Sequence, residues 1–206
     1  IRILARMATL VAMWNQMRLG NDPIPPRSDL SYAANFLYMF TGYEPDPLVA
    51  RIMDVCLILH AEHSINASTF AAMVTGSTLA TPSYVIAAAV GTLAGPLHGG
   101  ANEHVIQMLE AIGSPETAHA WLDAKLEAKE VIWGMGHREY KVKDPRATLL
   151  QKLMNELARS RGVVSPLFET ALALEEACEE KLSPKGVYPN IDYYSGILYR
   201  ELGIPT

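Results

Sequence analysis

Asp144-Pro145-Arg146-Ala147-Thr148-Leu149-Leu150-Gln151-Lys152-Leu153-Met154-Asn155-Glu156-Leu157 is the stretch on which the fold class turns. A carboxylate stands directly before a proline, and Leu149, Leu150, Leu153, Met154 and Leu157 follow at three- and four-residue spacing. The carboxylate can accept from a first-turn N–H, and proline at N1 lacks only an N–H that would have no helical partner. The same punctuation recurs at Asp46-Pro47, Thr81-Pro82, Ser114-Pro115 and Ser165-Pro166, each predicted to put a capping side chain at N-cap. After Pro166, Leu167, Ala171, Leu174 and Cys178 line one face, with Glu175, Glu176, Glu179 and Glu180 mostly opposite. Gly20, Gly42, Gly113, Gly162 and Gly203 mark stops.

Read outward from there, the pattern predicts helices over 1–19, 30–41, 47–61, 68–80, 82–94, 100–112, 115–129, 145–160 and 166–181, with a further one near 192–202. No strand pattern competes, although Tyr188-Pro189-Asn190-Ile191 can be locally extended. The predicted class is all-α.

The 206 residues are 50% hydrophobic and 19% charged, with a formal net charge of −5. So lean a charged surface implies apolar area buried against a partner subunit or further chain. No Lys/Arg block favours nucleic acid or an anionic membrane. Cys56 and Cys178 lie far apart among apolar residues and read as buried free thiols in a reducing, cytoplasmic setting. From His63 to Asn102 there is no Asp, Glu, Lys or Arg, which predicts helices buried on all sides. A membrane span is excluded, because the apolar run from Tyr84 to Leu97 falls short of roughly 20 residues and contains Pro96. Helical periodicity already runs at Ile1 with no cap before it, and the chain stops just past Gly203, so an internal portion of a larger protein is expected.

The chemistry-bearing residues cluster at glycine-softened breaks. Gly95-Pro96-Leu97-His98-Gly99-Gly100-Ala101-Asn102-Glu103 sets His98 just before a helix, where the positive helix end favours a neutral imidazole able to act as general acid. The competing reading is a histidine packed in a tight turn. Gly134-Met135-Gly136-His137 repeats the arrangement. Arg146, in the first turn after Asp144, opposes the helix dipole at a cost of ~0.3–1 kcal/mol. It therefore either grips an anion shared with the helix end or pairs with a surface carboxylate. Arg138, Lys141 and Lys143 add positive charge suited to a phosphorylated cofactor or polycarboxylate. His60 and His63, three apart, are compatible with one face of a helix end, but no third metal ligand accompanies them. Asp192 is either an N-cap or a catalytic base, and His104 and His119 read as surface or packing residues.

Taken in order, four segments resemble the citrate synthase family. They are Leu57 to His63 with Asn66-Ala67-Ser68-Thr69, Gly95 to Glu103, Gly134 to Arg146, and Tyr188 to Gly196. The segment Ser31 to Tyr38 also looks like the large domain of bacterial members. The resemblance implies a two-domain helical fold, with 1–99 part of the large domain, 100–203 the small closing domain and 204–206 the start of a return. It implies His98 as the acid on the acetyl carbonyl of acetyl-CoA, Asp192 as the base on its methyl group, and His137 as the acid on the oxaloacetate carbonyl. His63 and Arg146 match oxaloacetate ligands, and Arg138, Lys141 and Lys143 the region that meets coenzyme A. No metal and no permanently bound cofactor is implied, and the family usually forms homodimers, with hexamers among bacterial members. Its large domain extends past both ends of this chain and carries two further substrate-binding arginines, so the 206 residues alone are expected to have little activity. The alternatives are 2-methylcitrate synthase using propionyl-CoA, a CoA-dependent lyase running in reverse, and a non-catalytic helical assembly or regulatory module.

Overall fold

The structure is a computed structural model and describes residues 2–206. Its helices are α1 (Arg2–Arg18), α2 (Tyr32–Thr41), α3 (Pro47–Ala61), α4 (Ala67–Ser77), α5 (Pro82–Leu93), α6 (Ala101–Ile112), α7 (Ala118–Glu127), α8 (Pro145–Arg161), α9 (Pro166–Leu182) and α10 (Ile191–Glu201). Short 3-10 turns occupy Pro115–Thr117 and Ser183–Lys185. The all-α expectation holds, and the predicted helix positions agree closely with those observed. One predicted helix, 115–129, divides into a 3-10 turn and α7, because Ser114 makes no cap bond and its hydroxyl turns to Glu116 instead.

Capping follows the predicted chemistry in three of the five Pro-led starts. Asp46, Asp144 and Ser165 accept from the N–H groups of Val49, Arg146 and Phe168. Thr81 and Ser114 make no such bond, so those helices begin on proline's fixed φ alone. All five glycine stops adopt left-handed φ, from 69° to 86°.

The chain forms two compact units, one running to Ala61 together with Leu198–Pro205, the other Glu62–Ile197. In the first, α2 packs between α1 and α3, burying Phe36, Leu37, Met39 and Phe40 against residues such as Ile52 and Met53. Asn15 and Gln16 of α1 donate side-chain amides to the carbonyls of Met39 and Phe40, which as last-turn groups of α2 have no helical partner.

The second unit holds the larger core. Val105, Ile106 and Leu109 of α6, Leu122 of α7, Leu150, Leu153 and Leu157 of α8, Phe168 and Leu174 of α9, and Tyr193 and Ile197 of α10 are all buried. Leu149, read as part of the buried face of α8, lies at its edge and is exposed. Cys178 is buried here and Cys56 in the first unit; both are free thiols, and burial pushes each up to about 12.

The charge-free helices differ from expectation. α4 and α5 form an intimate pair, yet neither has a buried residue. Phe70, Met73, Val74, Tyr84, Val90 and Leu93 stand exposed. The pair shields only its mutual seam, so its outer faces are apolar without cover from the described chain. Among the described residues no helix is long and apolar enough to cross a membrane.

Candidate active site

Four segments of the second unit build one open cleft of about 630 Å³. His63 and Asn66 come from the α3–α4 connection, His98 from the turn after α5, His137 and Arg138 from the loop before α8, and Asp192 from the first turn of α10. Their convergence starts with the backbone. The Met135 and Pro189 segments form a single antiparallel bridge, the local extension expected around Tyr188 to Ile191. Gly136 N–H donates to the Tyr188 carbonyl (2.8 Å), Asn190 N–H to that of Gly134 (2.9 Å) and Asp144 N–H to that of Pro189 (3.1 Å). Gly134 has φ +76°, and a Cβ there would lie 2.9 Å from Tyr193 Cα, so only glycine fits this crossing.

Asn190, and not Asp192, takes the cap position of α10. Its side-chain oxygen accepts the N–H of Asp192 (2.9 Å) and its amide donates to the Gly136 carbonyl (2.9 Å). Asn190 is thus the cap of α10, and Asp192 sits in the first turn just inside it, half-buried and lining the cleft. The sequence reading passed over Asn190 as a cap, although Asn is among the strongest N-cap residues.

His98 is held by the α4–α5 pair. Its Nε2 lies 2.8 Å from Ser68 Oγ, whose other neighbour is the carbonyl of Ala89 at 3.0 Å. Ser68, in the first turn of α4, therefore touches a candidate acid, while Asn66 caps that helix. Gly99 after His98 serves close backbone packing rather than a left-handed turn. Gly99 is not left-handed; its N–H closes onto the Leu93 carbonyl, and a Cβ would stand 2.4 Å from that oxygen. Close backbone approach at the end of α5 requires glycine there.

His137 is half-buried, and its Nδ1 accepts from the N–H groups of Glu139 (3.1 Å) and Tyr140 (3.4 Å). With Nδ1 an acceptor, the neutral ring carries its proton on Nε2. Burial lowers its pKa below the usual histidine value; Asp144 works against this, while His63 and Arg146 reinforce it. The His63 ring stands edge-on to His137 at 5.2 Å, and its Nε2 meets Tyr140 Oη at 3.0 Å. His60 instead directs Nδ1 to the Cys56 carbonyl, so the two histidines have separate partners. Among the described residues no three His, Cys, Asp or Glu side chains are grouped to hold a metal.

Arg146 is neither exposed nor paired at the surface. Its Nε and Nη2 grip both carboxylate oxygens of fully buried Asp144, at 3.1 and 2.7 Å. Burial would raise Asp144, but the hydrogen bonds and charge of Arg146 outweigh it and hold the carboxyl below its usual range. Asp144 also offsets the helix-dipole penalty that Arg146 incurs. Two of the five guanidinium donors of Arg146 are engaged by Asp144, which leaves three for another anion.

Of the basic run, only Arg138 lines the cleft. Lys141 is exposed and packs its stem beside Gly186. Lys143 turns to Glu175, donates to Gln151 (2.7 Å) and lies over the Tyr194 ring. Gln151 in turn donates to Glu175 (3.1 Å) and reaches the Tyr194 hydroxyl (3.0 Å), which also bonds Glu175. Glu175, on the face of α9 expected opposite its apolar stripe, is the hub of this network. His104 stacks on Trp133 at 4.3 Å and His119 is exposed, as expected of packing and surface residues.

A family model described as "Citrate synthase, C-terminal domain" matches residues 1–206. The chain is 59% identical over 206 residues to the citrate synthase of Acidithiobacillus ferridurans, covering 99% of this chain and 53% of that protein. The crystal structure of citrate synthase from Pyrobaculum aerophilum superposes with a TM-score of 0.90 at 41% identity, over 97% of this chain and 50% of that one. A ternary complex of carboxymethyl coenzyme A and oxaloacetate with the Thermoplasma acidophilum citrate synthase also gives 0.90, at 34% identity, over 97% and 53%. The chain spans about half the length of the curated relatives it matches. By the family model, which spans the whole chain, the chain belongs to the citrate synthase family.

Proposed function

We propose that this chain supplies the reacting groups for condensation of acetyl-CoA with oxaloacetate and water to give citrate and CoA. The observation that carries this reading is the convergence of His98, His137 and Asp192 on one cleft, together with His63 and Arg138. The Thermoplasma acidophilum relative holds a coenzyme A derivative and oxaloacetate together, and the same pair fits a cleft with both acid and base groups.

Asp192 removes a proton from the thioester methyl group. A carboxylate of ordinary basicity achieves this only if the developing enolate oxygen receives a proton or a strong hydrogen bond. His98 provides it, with the ring proton on Nδ1 when the Ser68 hydroxyl turns to Nε2. The enol carbon then attacks the oxaloacetate carbonyl, and Nε2–H of His137 protonates the oxygen as the carbon–carbon bond forms. His63 and Arg146 hold oxaloacetate carboxylates, and Arg138 meets coenzyme A. Water finally cleaves the thioester, releasing CoA and a carboxylate.

Residues 1–99 form part of a static large domain and 100–203 a closing domain, whose movement over the substrates would exclude water until condensation is complete. The uncovered apolar faces of α4 and α5 support a homodimer. Two buried free thiols suit a cytoplasmic setting.

Thioester-dependent CoA release by the protein carrying this chain at the full length of its relatives tests the assignment. Asp192→Asn and His98→Gln are each expected to lower kcat by roughly 100-fold or more. Near-normal turnover in either variant would overturn the roles given. A kcat/KM for propionyl-CoA above that for acetyl-CoA would replace the acyl donor and leave the acid–base scheme intact.

A further inference from the structure

Tyr140 reaches two cleft histidines through different atoms. Its backbone N–H joins that of Glu139 at Nδ1 of His137, and its phenolic oxygen lies 3.0 Å from Nε2 of His63. The three rings close a triangle: His63 to His137 is 5.2 Å, His63 to Tyr140 5.6 Å and His137 to Tyr140 4.8 Å. Tyr140 is half-buried, packs against both imidazoles and is not among the residues that line the cleft.

The chemistry of the two contacts is opposite in sense. A phenol is a better donor than acceptor, and the unprotonated nitrogen of a neutral imidazole accepts well. The Tyr140 O–H therefore donates to Nε2 of His63, which leaves the ring proton on Nδ1. At His137 two amides claim Nδ1, which leaves the proton on Nε2. An unconstrained imidazole exchanges between these forms, and the wrong one presents a lone pair to an anion.

We propose that Tyr140 is a positioning residue that holds His63 in the Nδ1–H form while its amide helps hold His137 in the Nε2–H form. Two neutral rings then each present an N–H donor to one oxygen-rich dianionic substrate. The substrate half of this assignment rests on oxaloacetate as the ligand.

Long-range 1H–15N correlation spectra of 15N-histidine-labelled protein at about pH 8, where free imidazoles are neutral, read the tautomers directly. The expected wild-type result is Nδ1–H at His63 and Nε2–H at His137. Tyr140→Phe keeps the ring and the backbone amide, so His63 should lose its fixed tautomer while His137 keeps its own. In turnover the same variant should raise KM for oxaloacetate by roughly fivefold, the value of one neutral hydrogen bond, and leave KM for the thioester unchanged. An Nε2–H wild-type His63, or a His63 tautomer unmoved in Tyr140→Phe, overturns the clamp. The expected tautomers in a wild-type protein without condensation activity overturn the substrate half alone.

Discussion

The hydroxyl of Ser68 lies 2.8 Å from Nε2 of His98, so its orientation bears on which nitrogen of that imidazole carries the proton. It has one hydrogen and two acceptors in reach, His98 and the Ala89 carbonyl. Ser68→Ala frees the His98 ring to exchange tautomers without opening a large cavity. The expected outcome is a kcat lowered about 10-fold with KM for oxaloacetate and thermal midpoint little changed. A variant with unaltered kcat would show that Ser68 only packs.

His137 yields a prediction about pH. Because its pKa is lowered, chiefly by burial, the unfolded chain binds a proton there before the folded one does as pH falls. The stabilising contribution is complete above about 6.5 and is lost as pH drops toward the folded value. An NMR titration of its Cε1–H should give a midpoint below that of a free histidine. A midpoint above it would contradict the amide contacts at Nδ1.

Asp144 works in the acid range. Its carboxyl is held below the usual value despite burial, so its contribution is present above about 3.9 and is lost as pH falls through the folded value. Asp144→Asn retains a cap acceptor but strips Arg146 of its counter-charge. Denaturant titration at neutral pH should show a loss of about 2–4 kcal/mol, and the variant's stability should fall less steeply between about pH 4 and 2. Equal acid sensitivity in both proteins would exclude Asp144 as a source of it.

Lys143 and Arg138 separate stability from binding. Lys143→Met strands Glu175, Gln151 and Tyr194 around an uncompensated carboxylate and should cost about 1–3 kcal/mol. Its KM for the thioester should stay within about twofold of wild type, whereas Arg138→Ala should raise that KM at unchanged stability. The reverse pattern would return Lys143 to the coenzyme A surface.

The helices were legible because their starts and stops are written in local chemistry: proline at N1, glycine with left-handed φ, apolar residues at helical spacing. Caps were less so, since Thr81, Ser114 and Asn190 all have capping side chains and only tertiary surroundings decide which one bonds. His98, His137 and Asp192 stood out through their glycine and proline context. Ser68, Tyr140 and Glu175 did not, because a hydroxyl on an apolar helix, a loop phenol and one glutamate among four look ordinary until a distant partner arrives. The burial of α4 and α5 was misjudged for the complementary reason: absence of charge identifies a face that avoids water without saying which body covers it.

The clasp between residues 134–136 and 188–190 is assembled almost wholly from main-chain atoms. Met135, Tyr188 and Pro189 contribute carbonyls or position, not side-chain chemistry, to that junction. Mutational drift can therefore rewrite much of the local text without parting the segments that carry His137 and Asp192. The exceptions are Gly134, where only glycine fits, and Asn190, whose amide serves the loop and the helix at once. A lineage that lost this one side chain would have to re-evolve both attachments together, which makes it a bottleneck in an otherwise permissive stretch.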